Sequence, residues 1–352
     1  MGIGRCYVIT PQNTLEEVKA LAEALQRRSD GKFIWLDFAN PTLEQLSVPA
    51  EALGLHPLAI EDCLDEDQVP KMDEFPEHTF ILFNRYRVVG DTAEIEEINL
   101  FLGSDFLVTV HSHGQDEAAL GEHFLNTVRR DIASASKGPD FLLQVLLDDI
   151  VDEKFTAIEA LQDQLDTIED DLLRSAAEFR PGRLVKLRRT LLHLRKSLVY
   201  EREILVKLCR RDSRFVSEAA IYDFRDIYDH LAKFFEVVEI CRELIGSIME
   251  IHLAMINNQM TMVANRTNQT VRRLTLITTI FMPLTLLSGI GGMSEWSMMT
   301  GPENWKLAYP AFLGGMVVIA GLSYSLIKWI EKRDKPVPSF YGANTEEPPT
   351  PR

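Results

Sequence analysis

Hydroxyl side chains lie within an otherwise apolar, uncharged run near the C-terminus, residues 274–293. They are Thr275, Thr278, Thr279, Thr285 and Ser288. A hydroxyl group in hydrocarbon needs a hydrogen-bond partner, so a plain membrane anchor has little use for this pattern. The pattern predicts either a helix that turns its hydroxyls toward a water-filled pore or an ordinary anchor whose Ser and Thr side chains bond back to their own helix.

This run is long enough to cross a membrane, because a helix rises about 1.5 Å per residue and the hydrocarbon layer is about 30 Å thick. A second apolar run, residues 307–330, follows a short loop, residues 294–306. Both runs are therefore predicted to be transmembrane helices. One chain with two spans cannot enclose a pore, so the pore hypothesis also requires several copies of the chain.

Basic residues flank the outer ends of both runs, at Arg272, Arg273, Lys328, Lys332, Arg333 and Lys335. The loop between the runs instead carries Glu295 and Glu303 and a single lysine. By the positive-inside rule, both termini are expected in the cytoplasm and the chain in the inner (cytoplasmic) membrane. Residues 331–352 then form a cytoplasmic tail that begins basic and becomes rich in proline.

The net charge argues against nucleic acid as a partner. The formal net charge is −16 at pH 7, whereas a nucleic-acid-binding protein needs clustered lysine and arginine. An acidic surface raises the local concentration of cations instead.

The four cysteines show no C-x-x-C spacing, which is typical of reduced thiols. His111 and His113 form a weak metal-binding candidate at a strand end, more typical of a surface feature.

The first part of the chain, residues 1–139, is predicted to be a cytoplasmic α/β domain. Strands are expected at 6–9, 33–38, 78–89, 95–102 and 106–111, and helices at 14–28, at 42–53 and after Pro57. Thr42 and Gln45 have the spacing of a capping box. The region contains no Gly-rich phosphate loop and no nucleophile–base pair, so we do not expect an enzyme.

Long helices follow, with apolar residues spaced alternately three and four apart. Residues 140–218 are expected to form an antiparallel helical hairpin, interrupted at 179–182, with Glu201 as a charged position in its apolar seam. Residues 219–273 are expected to form a stalk helix that continues into the first span. Near the membrane this helix becomes rich in asparagine and glutamine, which suits either a water-filled vestibule or an exposed helix surface.

Four stretches resemble landmarks of CorA-type magnesium channels, and they lie in the family's order along the whole chain. They are Gly54-Leu-His-Pro-Leu-Ala-Ile-Glu-Asp62, Phe224-Arg-Asp-Ile-Tyr-Asp-His230, the run 268–293 with Phe281-Met-Pro-Leu-Thr285 and Ser288-Gly-Ile290, and Pro302-Glu303 followed by Trp305-Lys306. The resemblance implies a funnel-shaped homopentamer in which five copies of the long helix line one axial pore.

The resemblance also implies roles for individual residues. Asn268 would lie at the inner mouth, Val271 and Leu274 would form a hydrophobic gate, and Met282 and Thr285 would line the middle of the pore. Asp62 of one subunit and Asp226 of the next would form a cytoplasmic magnesium sensor. Magnesium would then be both the transported and the regulatory ion, with no catalytic cofactor.

The chain departs from the family at the outer mouth. The family has Gly-Met-Asn, whereas this chain has Gly292, Met293 and Ser294, followed by Glu295. A serine hydroxyl reaches less far than an asparagine amide, and the carboxylates of Glu295 and Glu303 would compensate with charge. The substitution leaves the choice of ion open.

The sequence therefore predicts a pore for divalent cations, embedded in the lipid bilayer and assembled from copies of itself. Our first expectation is a magnesium channel that also passes cobalt or nickel and is gated by cytoplasmic magnesium. One alternative is a transporter of zinc or another transition metal on the same fold. The other alternative is a non-conducting coiled-coil protein anchored in the membrane.

Overall fold

The computed structural model describes residues 4–28, 32–65, 68–89, 92–112, 117–174, 179–292, 301 and 303–333. The chain divides into two compact units, Met1–Ala254 and Met255–Arg352.

A sheet of seven strands forms the centre of the first unit. The strands are β1 (Gly4–Thr10), β2 (Thr14–Val18), β3 (Phe33–Ala39), β4 (Lys71–Glu74), β5 (Thr79–Val89), β6 (Thr92–Leu102) and β7 (Phe106–Ser112). Their order across the sheet is β2-β1-β3-β7-β6-β5-β4. Strands β5, β6 and β7 form the expected antiparallel meander. Strands β3 and β7 pair in parallel and join the meander to the N-terminal strands.

The predicted helix at residues 14–28 is wrong over its first part. Residues Thr14–Val18 form β2, which pairs with β1, and only Leu21–Gln26 form a helix, α1. Asn13 has a φ of 60°, in the left-handed region, and reverses the chain between the two strands. Pairing with β1 satisfies the backbone of this segment, so a tertiary contact overrides the local helical pattern. Strand β4 was also missing from the sequence prediction.

Helices cover the sheet on both faces. On one face α1 packs with α2 (Leu43–Leu53) and α3 (Pro57–Leu64) over a core that includes Leu36, Leu82 and Val108. The predicted capping box at the start of α2 is confirmed, with Thr42 and Gln45 bonding reciprocally. The other face contacts α4 (Glu117–Arg130) and the first part of α6 (Pro139–Arg174), and α5 (Ile132–Ala135) lies between these two helices in the chain.

The helical seams predicted from the three-and-four spacing are buried. Helix α6 contributes Ile158, Leu161, Leu165, Ile168 and Leu172, and α7 (Pro181–Cys209) contributes Leu184, Leu187, Leu191, Leu194, Leu198, Leu205 and Leu208. Glu201, the charged position in this seam, is fully buried and pairs with Lys154 of α6. The structure thus explains the charge by a partner on the neighbouring helix.

Helix α8 (Ile221–Gly291) is 71 residues long and contains Pro283 without ending there. The last helix among the described residues is α9 (Trp305–Arg333). Both are long and apolar enough to cross a membrane, and the apolar stretch of α9 is Lys306–Trp329. From Leu253 to Gly292 no described residue of the chain is buried. This part of α8 is therefore open to contact with lipid or with other copies.

Candidate functional site

An acidic group in the first unit can hold a cation. It consists of Asp148 and Asp152 on α6 and His230 on α8, and we call it the Asp148 cluster. One ligand atom from each residue lies within 4.8 Å of the others. The two carboxylates are four residues apart, so they share one face of α6, and α8 brings the imidazole to them. Two carboxylates and an imidazole suit a divalent metal ion.

The electrostatics of the cluster favour a bound cation. Burial raises the pKa of the half-buried Asp148 to about 6, and the neighbouring charge of Asp152 adds to this rise. His230 acts in the opposite direction, and Asp226 raises the pKa further. Several carboxylates therefore share a partly desolvated space in which each disfavours the charge of the next. A divalent cation would relieve that repulsion.

Asp226, one of the two predicted sensor residues, lies one turn before His230 on α8, close enough for its charge to act on Asp148. Sequence reasoning missed Asp148 and Asp152. The available signal was the spacing of four between two aspartates on α6, repeated by Asp226 and His230 on α8. That spacing places each pair on one helix face, although it cannot show that the two faces meet.

Asp62, the other predicted sensor residue, lies on α3 outside the Asp148 cluster. Its Oδ2 atom is 2.7 Å from Nζ of Lys71, and the amide of Gln68 donates to Oδ1 at 3.2 Å. The side chain keeps 28% of its surface exposed. Both carboxylate oxygens thus have donors within the same chain. The predicted bridge from Asp62 to Asp226 of another subunit stays a prediction.

The predicted pore residues all lie on α8 and are exposed in the single chain: Asn268, Val271, Leu274, Met282 and Thr285. Met282 is 77% exposed, which is unusual for so large an apolar side chain. At about 3.6 residues per turn, Val271, Thr275, Thr278 and Met282 share one face of the helix. Such a face requires lipid or another copy of the chain to cover it.

Three threonine hydroxyls of the first span donate back to their own helix. Thr275 donates to the carbonyl of Val271 at 2.9 Å, Thr278 to that of Leu274 at 3.1 Å and Thr285 to that of Phe281 at 2.8 Å. They therefore do not by themselves require a pore. Because each hydrogen is used, each oxygen presents only lone pairs outward. The waters around a hydrated cation point their hydrogens outward and would find acceptors there.

Beyond the C-terminal end of α8, Met293, Ser294 and Glu295 lie outside the described residues, and Glu303 is exposed. Gly291 packs closely against α9. A Cβ atom added there would lie 2.6 Å from Cζ of Phe312, closer than real Cβ contacts allow. A side chain at position 291 would therefore have to push the ring of Phe312 aside.

The weak histidine candidate is part of the folded core. His111 is 4% exposed and its Nε2 lies 3.4 Å from Oδ1 of Asp37, whereas His113 lies outside the described residues. The same Asp37 oxygen accepts a hydrogen bond from Thr109 at 2.5 Å. His111 therefore belongs to a buried polar network of the sheet.

Comparison with known proteins identifies the family. A family model described as CorA-like Mg2+ transporter protein matches residues 30–329. The chain belongs to this family. The cobalt/magnesium transport protein CorA of Thermotoga maritima is 32% identical over 278 residues, which cover 77% of this chain and 74% of that protein. A putative metal ion transporter of Bacillus subtilis, YfjQ, is 31% identical over 301 residues, covering 85% and 89% of the two chains.

The solved structures agree on the CorA fold. The CorA magnesium transporter from Methanocaldococcus jannaschii superposes with a TM-score of 0.69 over 95% of this chain and 98% of that one, at 23% identity. The likeness confirms the predicted architecture of a soluble α/β domain, a long helix and two transmembrane helices. This CorA-family chain is accordingly a divalent metal ion transporter of the membrane.

Proposed function

We propose that the chain forms a homopentameric channel that passes magnesium into the cytoplasm and closes when cytoplasmic magnesium is abundant. The observation that carries this proposal is the Asp148 cluster, because one of its three ligands lies on α8. The same unbroken helix carries the exposed residues Val271, Leu274 and Met282. A cation bound at the cluster would therefore act directly on the helix that is proposed to line the pore.

The proposed pore suits a hydrated ion. Magnesium loses its waters reluctantly, so a conducting path should offer neutral acceptors to the hydration shell. The outward lone pairs of Thr275, Thr278 and Thr285 are such acceptors. Val271 and Leu274 would form an apolar constriction that excludes water when five copies approach one another. The asparagine-rich part of α8 around Asn268 would hold hydrated cations at the inner mouth.

The basic residues beside each span support a cytoplasmic position for the α/β domain and both termini. In that orientation the membrane potential drives cations inward. The driving force is about 2.3 kcal/mol per charge per 100 mV and doubles for a divalent ion. The charge of −16 would help to gather cations at the cytoplasmic exit.

The gate would respond to cation occupancy. With magnesium bound, carboxylates on α6 and α8 are held together, and Asp62 of one subunit is bridged to Asp226 of the next. When magnesium falls, the acidic groups repel one another, the long helices separate and the constriction fills with water. The cluster supports this direction of the response, because, besides burial, the charges of Asp152 and Asp226 raise the pKa of Asp148, which shows that the acidic groups repel one another.

Flux into liposomes tests the proposal. The Asp148→Asn variant should keep magnesium flux but lose inhibition by internal magnesium, and Asp226→Ala and Asp62→Ala should do the same. Asp163→Asn is a matched control, since Asp163 is an exposed aspartate on the same helix. Unchanged inhibition in all three variants would refute the sensor. Absence of flux in the wild-type protein would favour the non-conducting alternative.

One observation favours a transition metal as a second candidate. His230 supplies an imidazole, which suits cobalt, nickel or zinc better than magnesium. Flux of magnesium, cobalt and zinc should be compared in wild type, His230→Gln and Ser294→Asn. Inhibition by cobalt or zinc that weakens in His230→Gln, with inhibition by magnesium unchanged, would assign the imidazole to transition metals. Unaltered selectivity in Ser294→Asn would show that Ser294 is not the filter.

A further inference from the structure

Lys71 holds the carboxylate of Asp62 from within the same chain. Its Nζ lies 2.7 Å from Oδ2 of Asp62, and both side chains are about one-third exposed. The backbone of Lys71 is fixed in β4, where it pairs with Leu82 of β5. A strand therefore delivers this ammonium group to the end of α3, and the contact does not depend on a flexible loop.

Gln68 completes the arrangement on the other side of the carboxylate. Its amide nitrogen lies 3.2 Å from Oδ1 and 3.1 Å from the backbone carbonyl of Asp62, and its own backbone N–H donates to Glu97 at 2.9 Å. Asp62 is thereby held in one orientation. An amide can rotate and offer its oxygen to a cation, whereas an ammonium group has no lone pair and must move away.

We propose that Lys71 competes with the divalent cation for Asp62 and so sets the cation concentration at which the cytoplasmic sensor saturates. This inference rests on the proposed role of Asp62 as a sensor residue. A cation that binds Oδ2 must first displace Lys71. The free energy needed to break the Lys71–Asp62 ion pair therefore weakens cation binding by the same amount.

The displaced ammonium group has a second position nearby. Nζ of Lys71 lies 5.9 Å from the ring centroid of Phe80 and can shift across the face of that ring, away from Asp62, when the cation arrives. Displacement is then a short movement rather than an unfolding of β4. A partly exposed ion pair of this kind is worth about 1 kcal/mol or less, which corresponds to a change of about fivefold in cation affinity.

The test uses the full-length protein in liposomes and measures the internal magnesium concentration that halves the flux. Lys71→Met keeps an unbranched apolar side chain but removes the charge, and it should lower this midpoint about fivefold. Lys71→Arg should leave it close to wild type. Lys196→Met is the matched control, because it makes the same change in net charge at an exposed position on α7 and should not shift the midpoint.

A second set of variants separates this inference from the sensor role itself. In an Asp62→Asn background the midpoint should be strongly raised or inhibition lost, and adding Lys71→Met should change neither, because Lys71 then has no carboxylate for which to compete. A midpoint that Asp62→Asn raises but Lys71→Met leaves unchanged would overturn the role of Lys71 alone. A midpoint that Asp62→Asn leaves unchanged would overturn the sensor role of Asp62. The thermal unfolding of Lys71→Met, compared with wild type in the absence of magnesium, shows whether its shift comes from misfolding; unfolding equal to that of wild type leaves the shift to the lost charge.

Discussion

The buried ion pair between Lys154 and Glu201 joins α6 to α7, and breaking it should be costly. Both side chains are 0% exposed, and Nζ of Lys154 lies 2.8 Å from Oε1 of Glu201. Burial lowers the pKa of Lys154, and the charge of Glu201 opposes this shift. Nζ also lies 4.1 Å from the ring centroid of Phe83.

Other donors have the same oxygen of Glu201 as their acceptor. Ser197 donates to Oε1 at 2.9 Å, and the backbone N–H of Asn84 donates to it at 3.2 Å. Lys154→Met would leave a buried carboxylate with only these neutral donors. Removal of one partner from a buried pair costs about 3–5 kcal/mol of unfolding free energy, whereas replacement of both by apolar residues is often nearly neutral. We therefore expect a large loss for Lys154→Met and a much smaller loss for Lys154→Met combined with Glu201→Leu.

Denaturant unfolding of the full chain in detergent, followed by the fluorescence of the buried Trp35 and the other tryptophans, measures these differences. The exposed pair between Arg183 and Asp171, at 3.4 Å on the same hairpin, is the control. Arg183→Met should cost about 1 kcal/mol or less. The reasoning fails if the double variant loses as much as Lys154→Met and Glu201→Leu together, because the two residues would then act independently.

Three further predictions concern other parts of the chain. Burial lowers the pKa of His78 to about 4, below its unfolded value of 6.5. Between these two pH values the unfolded chain binds more protons than the folded chain. The free energy of unfolding should therefore fall by about 3 kcal/mol as the pH falls from 6.5 to 4. Unfolding at several pH values should show this loss reduced in His78→Phe but retained in a variant of the exposed His193. Gly291→Val should lower the thermal stability of the purified protein, because the added side chain forces Phe312 aside. Gly289→Ala is the control and should have little effect, because a Cβ atom added at Gly289 would have no neighbouring atom within 4 Å. Thr278→Val should reduce magnesium flux severalfold if the shared face of α8 lines the pore, whereas an equal loss in Thr279→Val would contradict that assignment.

The elements with a local cause were predictable from the sequence. The spacing of apolar residues defined the seams of α6 and α7, and the length of the two apolar runs defined the two membrane spans. The capping box at Thr42 involves residues only three apart, so its geometry follows from the backbone of one helical turn. Motifs spread along the whole chain indicated the family, because their residue types and order are readable without coordinates.

The tertiary structure decided everything that depends on partners distant in sequence. Residues Thr14–Val18 form a strand because β1 is available to pair with them, and no local pattern shows this. Glu201 was visible as a charge in an apolar seam, yet only the packing of α6 against α7 supplies Lys154. Likewise, the family resemblance indicated Asp62 as a sensor carboxylate, whereas only the fold of β4 brings Lys71 against it.

The Asp148 cluster shows most clearly the difference between what local sequence patterns indicate and what tertiary contacts decide. The sequence alone determined that α6 carries two aspartates on one face and that α8 carries Asp226 and His230 one turn apart. Only the folded chain determines that these faces meet, with ligand atoms within 4.8 Å. Helix periodicity is a property of neighbouring residues, but the approach of two helices is set by their shared apolar core.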